Sequence, residues 1–221
     1  MPRVAVVLSG CGVYDGAEIH ESVSLLLHLS QRGAEYSCFA PDKEQAHVVA
    51  HLAGAPAEGE ARNVLVESAR IARGNIAPLD KLKAADFDAL FAPGGFGAAK
   101  NLSSFAFDGA ECSVDPQFEA VLKDFQQAGK PIGVCCITPA VVAKALPGTT
   151  VTIGDDADAA QAIGAMGSKH ENRPVTEACV DEAAGVVTAP AYMYGDAPIH
   201  EVHEGIGQMV EQTLARIGAT V

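Results

Sequence analysis

Between Lys130 and Ala145 the chain passes from a short apolar run straight into a helical pattern, with a cysteine pair at the junction. The run Pro131-Ile132-Gly133-Val134-Cys135 has no polar face, as suits a strand covered on both sides. Ala140, Val141, Val142 and Ala145 then recur at helical spacing. A strand that turns directly into a helix confines the fold to layered α/β architectures. It also makes an elbow, a sharp turn that pushes one side chain out at the sheet edge. Here that side chain is Cys136, a candidate nucleophile. The helix behind it aims backbone N–H groups and its positive end at the sulfur, which predicts a lowered thiol pKa. Cys135 alternates with Cys136 and is expected to point the other way, into the core.

Comparable apolar runs occupy 3–8, 35–40, 87–92, 150–153 and 186–189, continuous rather than alternating. A helix is predicted over 17–31, with Ile19, Val23, Leu26 and Leu27 on one face and Gly33 as its stop. Another spans 197–217, with Ile199, Val202, Ile206, Met209, Val210, Leu214 and Ile217 at three- and four-residue steps. His28, His47 and His51 sit within helical patterns. Runs 174–180 and 185–188 flank Asp181-Glu182-Ala183-Ala184, a hairpin signal at a sheet edge. No repeat or linker divides the chain, so residues 1–221 read as a single doubly wound, flavodoxin-like α/β domain. Its sheet is expected to be mostly parallel, with helices on both faces.

Charge narrows the partners. Fifteen basic residues stand against 28 acidic ones, a formal net charge of −13, which repels phosphate backbones and anionic lipid. No nucleic-acid or membrane partner is expected. No apolar run is long enough to span a bilayer, and with a strand starting at Arg3 no targeting peptide is expected within these residues. The expected location is the cytoplasm, or the mitochondrial matrix for a trimmed eukaryotic form. The six cysteines show neither C-x-x-C spacing nor a neighbouring histidine at zinc-ligand spacing, so reduced thiols and no metal are expected.

Ligands of doubly wound sheets bind at the carboxyl ends of the strands. Three loops there carry unusual chemistry: residues 9–16 with Cys11 and Gly12, residues 93–97 with Gly95, and the Cys136 elbow. The N–H groups of Gly95 and Ile137 are candidate oxyanion donors. Glu18 follows the first loop at a helix start and has two readings. As a surface acid it complements the helix dipole; leaning into the pocket, it shares a proton with the sulfur. His20 and His170 are further pocket candidates. The glycine loops complete neither a dinucleotide fingerprint nor a phosphate loop, so no cofactor is expected. His200 and His203 stand three apart, not four, and do not form a zinc helix.

Together these features resemble the PfpI/ThiJ superfamily, which includes the Parkinson's-disease deglycase, class I glutamine-amidotransferase-like domains and intracellular peptidase-like proteins. The likeness is greatest to its ElbB-type, glyoxalase-like branch, which has mitochondrial homologues. It rests on residues 8–21 (LSGCGVYDGAEIHE), 62–65 with 69–74, 93–102 (PGGFGAAKNL, ending beside Asn101), the elbow, and 188–193. The resemblance places the superfamily's nucleophile on Cys136, through the Cys-x-x-Pro that ends at Pro139, its acidic partner on Glu18 and its oxyanion donor on Gly95. It also makes Asn101 a pocket candidate and a homodimer the expected assembly. One departure matters: Ile137 stands where amidotransferases and peptidases carry a histidine, and Thr152-Ile153-Gly154 stands where another is expected. A Cys–Glu site remains.

That site suits small reactive carbonyls. The implied function is a cofactor-free glyoxalase or deglycase in which Cys136 forms a hemithioacetal with methylglyoxal or glyoxal and Glu18 moves the proton. Two alternatives stay open: a non-catalytic cysteine redox sensor or stress-response binding protein, and an amidotransferase-like subunit that needs a partner to supply its base.

Overall fold

The computed structural model describes residues 1–218. Its elements run β1 (Arg3–Val7), α1 (Ile19–Gln31), β2 (Glu35–Ala40), β3 (Val49–Ala50), β4 (Ala55–Pro56), α2 (Val64–Ile71), β5 (Ile76–Pro78) and β6 (Ala89–Ala92). Then come α3 (Phe96–Lys100), α4 (Phe105–Asp108), α5 (Pro116–Gln127), β7 (Ile132–Cys135), α6 (Thr138–Ala145), β8 (Thr150–Val151) and α7 (Ala157–Ala165). β9 (Lys169–His170), β10 (Cys179–Asp181), β11 (Val186–Ala189) and α8 (Ile199–Ala215) complete the order.

Seven strands form one sheet in the order β10-β11-β7-β6-β1-β2-β5. Every neighbouring pair is parallel except the edge hairpin β10–β11, which pairs Asp181 with Val186 across the turn expected there. Both faces are buried, so consecutive strand residues enter different cores. Ala5 and Val7 of β1 pack with Phe118, Leu122 and Phe125 of α5 and with the α6 valines. Val4 and Val6 pack on the other face with Leu25 and Leu29 of α1 and Val202, Ile206 and Val210 of α8. Covering on both faces is why these strands read as continuous apolar runs.

Three sequence expectations change. Residues 150–153 do not join the main sheet: β8 pairs in parallel with β9 in a separate ribbon. Side chains of the edge hairpin take its donors instead, Asp181 Oδ2 from Thr150 N–H at 2.6 Å and Thr188 Oγ1 from Thr152 N–H at 2.9 Å. The stretch holding His47 and His51 is not helical; its strands β3 and β4 pair antiparallel, and Asp15 Oδ2 accepts from Val49 N–H at 2.7 Å. β5 was not anticipated, being three residues long with a proline at its end.

The third change concerns α1. Its buried residues include Glu21, Ser22, Leu25, His28 and Leu29, whereas Ile19, Val23 and Leu27 are 44%, 53% and 45% exposed. Of the predicted apolar face only Leu26 packs against the core; the other three point outward and a partly polar face packs inward. Contacts specific to the fold impose this: the His28 ring stacks on His203 of α8 with centroids 4.1 Å apart, and Glu21 reaches the elbow. Ile199, at the start of α8, is likewise exposed rather than part of its buried face.

Candidate active site

Cys136 directly follows β7 in a left-handed backbone conformation, φ 60°, that few non-glycine residues adopt. Strain of this kind costs on the order of 1–3 kcal/mol and persists only where its surroundings enforce it. Cys136 N–H donates to Ala189 O at 3.0 Å, and Thr138 Oγ1, one residue past the turn, donates to Pro93 O at 2.8 Å. The elbow is therefore tied to β11 on one side and to the loop after β6 on the other. The backbone N–H groups of Gly95 and Ile137 both face the Cys136 sulfur.

The acid beside that sulfur is Glu21, in the first turn of α1. Its side chain is fully buried. Gly94 N–H donates to its Oε2 at 2.9 Å and Tyr192 N–H to its Oε1 at 3.2 Å. Ala191, a second non-glycine residue with positive φ (47°), precedes that Tyr192 donor. Gly94 is what lets thiol and carboxyl meet. A Cβ there would lie 2.3 Å from Cys136 Cβ and 2.8 Å from Glu21 Oε2. Gly95 has φ 93°, and a Cβ on it would come within 2.4 Å of Gly16 O and Glu18 N.

Burial raises the Glu21 pKa to about 7, helped by the nearby Glu18 charge and opposed by the Tyr192, Cys136 and Gly94 hydrogen bonds. The Cys136 thiol also moves upward, well above the ordinary cysteine range. Burial is the main cause, Glu21 adds to it, and the N–H groups of Gly95 and Ile137 oppose it. The lowered pKa predicted from the helix start is thus overturned, because desolvation and a neighbouring carboxylate outweigh two backbone donors. Cys135 does not simply face away either. Its fully buried Sγ donates to Glu21 Oε2 at 3.8 Å, since the turn at Cys136 breaks strand alternation.

Above the sulfur opens a cavity of about 530 Å³, lined by Val13, Phe96, Ile137 and Met193 among apolar residues and by Glu18 near Cys136. No lysine, arginine or histidine is among its lining residues. Among the described residues no group of three or more His, Cys, Asp or Glu side chains could hold a metal ion, and no helix is long and apolar enough to cross a membrane.

No protein-family model matches the chain. Curated relatives do. Across 98% of the chain and 84% of the relative, it is 56% identical to the human mitochondrial protein named glutamine amidotransferase-like class 1 domain-containing protein 3. It is 39% identical to the mitochondrial ES1 protein of Danio rerio, over 96% of the chain and 85% of that protein. The chain belongs to the ES1 family of glutamine amidotransferase-like class 1 proteins.

A solved structure from Ehrlichia chaffeensis, titled an isoprenoid biosynthesis protein with amidotransferase-like domain, superposes with TM-score 0.92 at 37% identity. The match covers 98% of this chain and 99% of that one. A DJ-1 superfamily protein from Salmonella typhimurium shares the fold at TM-score 0.55 and 19% identity, covering 97% and 88%. The chain accordingly shares its fold with DJ-1 superfamily proteins.

In this ES1-family site the sequence candidates divide. Cys136, Gly95, Ile137 and Glu18 all line the cavity. Glu18 caps α1, its Oε2 accepting from Glu21 N–H at 2.7 Å, but it does so as a buried acid on the cavity wall rather than as a surface one. His20 stands behind the lining, its Nδ1 3.0 Å from the hydroxyl of Tyr192. Cys11, Gly12, Asn101 and His170 are not among the lining residues. Cys11 lies near Arg70, Glu67 and Asp15, and Gly12 lies against His51. Asn101 braces the loop after β1, donating to Ser9 O and Asp15 O at 2.9 Å each. His170 sits in β9, its Nε2 buried with no hydrogen-bond partner among the described residues.

Glu21 was the residue missed. Its signal was present: Glu18 and Glu21 are three apart, so if one caps the helix the other lies a turn inside it. The apolar spacing of Ile19, Val23 and Leu27 drew the buried face to the wrong side.

Proposed function

We propose that this chain is a cofactor-free glyoxalase that converts small 2-oxoaldehydes, methylglyoxal among them, into 2-hydroxy acids. The observation that supports this most is the buried Cys136–Glu21 pair at the floor of an apolar cavity, with two backbone N–H groups on the same sulfur. A carboxyl with a pKa of about 7 is well matched to taking and returning a proton near neutral pH. It answers the raised thiol pKa, because the thiol need not ionise before attack.

In this reading the Cys136 sulfur bonds to the aldehyde carbon as its proton passes to Glu21. The carbonyl π electrons become an oxyanion within reach of the Gly95 and Ile137 N–H groups, and Glu21 then protonates it to a hemithioacetal. Glu18, the acid on the cavity wall, takes the proton from the former aldehyde carbon. The resulting enediol is reprotonated on the neighbouring carbon, leaving a 2-hydroxyacyl thioester on Cys136. Water cleaves that thioester, releasing the hydroxy acid and restoring the thiol. The redox change is internal to the substrate, so no external oxidant or reductant enters.

Lactate formation from methylglyoxal by the pure protein, followed by NMR, tests the reading. Turnover should vanish in Cys136→Ser and fall about a hundredfold or more in Glu21→Gln. Absence of lactate from active-thiol-titrated protein would discard it in favour of a redox role for Cys136. The human, rat and zebrafish relatives carry mitochondrial names, and these support a mitochondrial matrix location for the activity; the cytoplasmic expectation gains no such support.

A further inference from the structure

The walls of the same cavity carry a charge and ring pattern that a small dicarbonyl does not use. Three carboxylates line it from two directions: Glu18 at the start of α1, and Asp156 and Asp158 at the start of α7. Three aromatic rings, Phe96, Phe105 and Tyr192, stand among them. Only 5% of the chain's residues are aromatic, so three rings in one cavity is a concentration rather than a sampling of the surface. Lys100 is close by but is not a lining residue; its Nζ donates to Tyr14 O at 3.0 Å and lies 5.2 Å from the centre of the Phe96 ring. Phe96 therefore already receives an ammonium group over its ring.

Carboxylates together with exposed ring faces attract ammonium groups, the former by charge and the latter by the ring quadrupole. The field continues outward. On the far side of Met193 an open groove carries Asp155, Asp196 and Glu201. An anionic 2-oxo acid entering this site meets three carboxylates and no basic side chain among the lining residues, whereas a cationic carbonyl meets the opposite charge there.

Building on the glyoxalase reading, we propose that the substrates of this site are 2-oxoaldehydes bearing an ammonium group, with Asp156 and Asp158 as the residues that select them and exclude anionic carbonyls. Asp156 is partly occupied, its Oδ1 accepting from Ala159 N–H at 2.8 Å as the cap of α7. Asp158, exposed in the first turn of α7, is the freer selector.

The test uses thiol labelling rather than turnover, so it stays readable if the glyoxalase reading fails. Three methanethiosulfonates are compared: trimethylammonioethyl (cationic), methyl (neutral) and sulfonatoethyl (anionic). In each, the Cys136 sulfur forms a disulfide with the reagent's thiol sulfur, methanesulfinate leaves with the electron pair, and the thiol proton passes to solvent. Rates are read by mass on the Cys136 peptide. Relative to free cysteine, the cation-to-anion rate ratio at Cys136 should be raised about tenfold or more, and should shrink as salt is added. Asp158→Lys should return the ratio most of the way to the free-cysteine value. The same charge change in Glu35→Lys, at the amino end of β2 and so at the opposite end of the sheet from the elbow, should leave it high. If Asp158→Lys does not fold, Asp158→Asn should give an intermediate ratio. A wild-type ratio equal to that of free cysteine, or one shifted equally by the Asp158 and Glu35 changes, overturns the proposal.

Discussion

Glu21 and Cys136 meet across the space left by the missing side chain of Gly94. Three parts of the chain far apart in sequence make that contact: the first turn of α1, the loop after β6 and the end of β7. The carboxyl supplies what the elbow lacks, a proton acceptor beside a thiol too buried to ionise easily. Most of the measurable consequences follow from this pairing.

The first is the pH profile of thiol alkylation. The Glu21 charge helps to hold the Cys136 pKa up. Glu21→Gln removes that charge while keeping the shape, so the iodoacetamide rate profile at Cys136 should move to lower pH. An unmoved profile would mean that the two groups are not electrostatically coupled.

Stability should depend on Glu21 in a pH-specific way. Its pKa is raised from 4.5 to about 7 on folding, so the folded state holds this proton more tightly than the unfolded chain. The associated stabilisation is present below the unfolded value and is lost as pH rises through about 7. Glu21→Gln cannot ionise and escapes the loss. It should be more stable than the parent at alkaline pH by up to about 3 kcal/mol, with the gap closing toward pH ~4.5. Urea unfolding across that range measures it; a gap that widens on acidification would contradict the sign.

Gly94→Ala should separate the pair. The new methyl would sit 2.3 Å from Cys136 Cβ, so thiol and carboxyl must move apart. We expect about 1–3 kcal/mol of destabilisation and an alkylation profile in which adding Glu21→Gln makes no further difference.

Glu18 and Glu21 are told apart by two readouts. Glu18→Gln keeps an oxygen that can cap α1, so its stability cost should stay below about 1 kcal/mol. Lactate formation should fall, since Glu18 lines the cavity, while the alkylation profile of Cys136 stays near that of the parent. A profile shifted as far as in Glu21→Gln would return the sulfur's proton partner to Glu18.

A homodimer is expected in solution, and Ile19, Val23 and Leu27 give α1 an exposed apolar stripe at i, i+4 and i+8. Light scattering at micromolar concentration should report twice the chain mass, and Val23→Glu should lower it. A monomeric parent protein ends the expectation.

The layered α/β fold, the parallel strands, the edge hairpin and the Cys136 elbow were all legible in the sequence. Each is a local pattern: a strand buried on both faces is apolar throughout, and a strand running into a helix leaves the residue between them at the sheet edge. Gly95 and Ile137 were legible for the same reason, because both border the elbow or a strand-end loop. The inward face of α1 was not. Ile19, Val23 and Leu27 carry the stronger apolar period, yet the helix is rotated by contacts that exist only after folding, His28 against His203 and Glu21 against Gly94 and Tyr192. The direction of the Cys136 pKa was also a tertiary matter. Local sequence shows the backbone donors that favour a thiolate, but burial and the approach of Glu21 depend on how distant segments pack, and those two effects prevail.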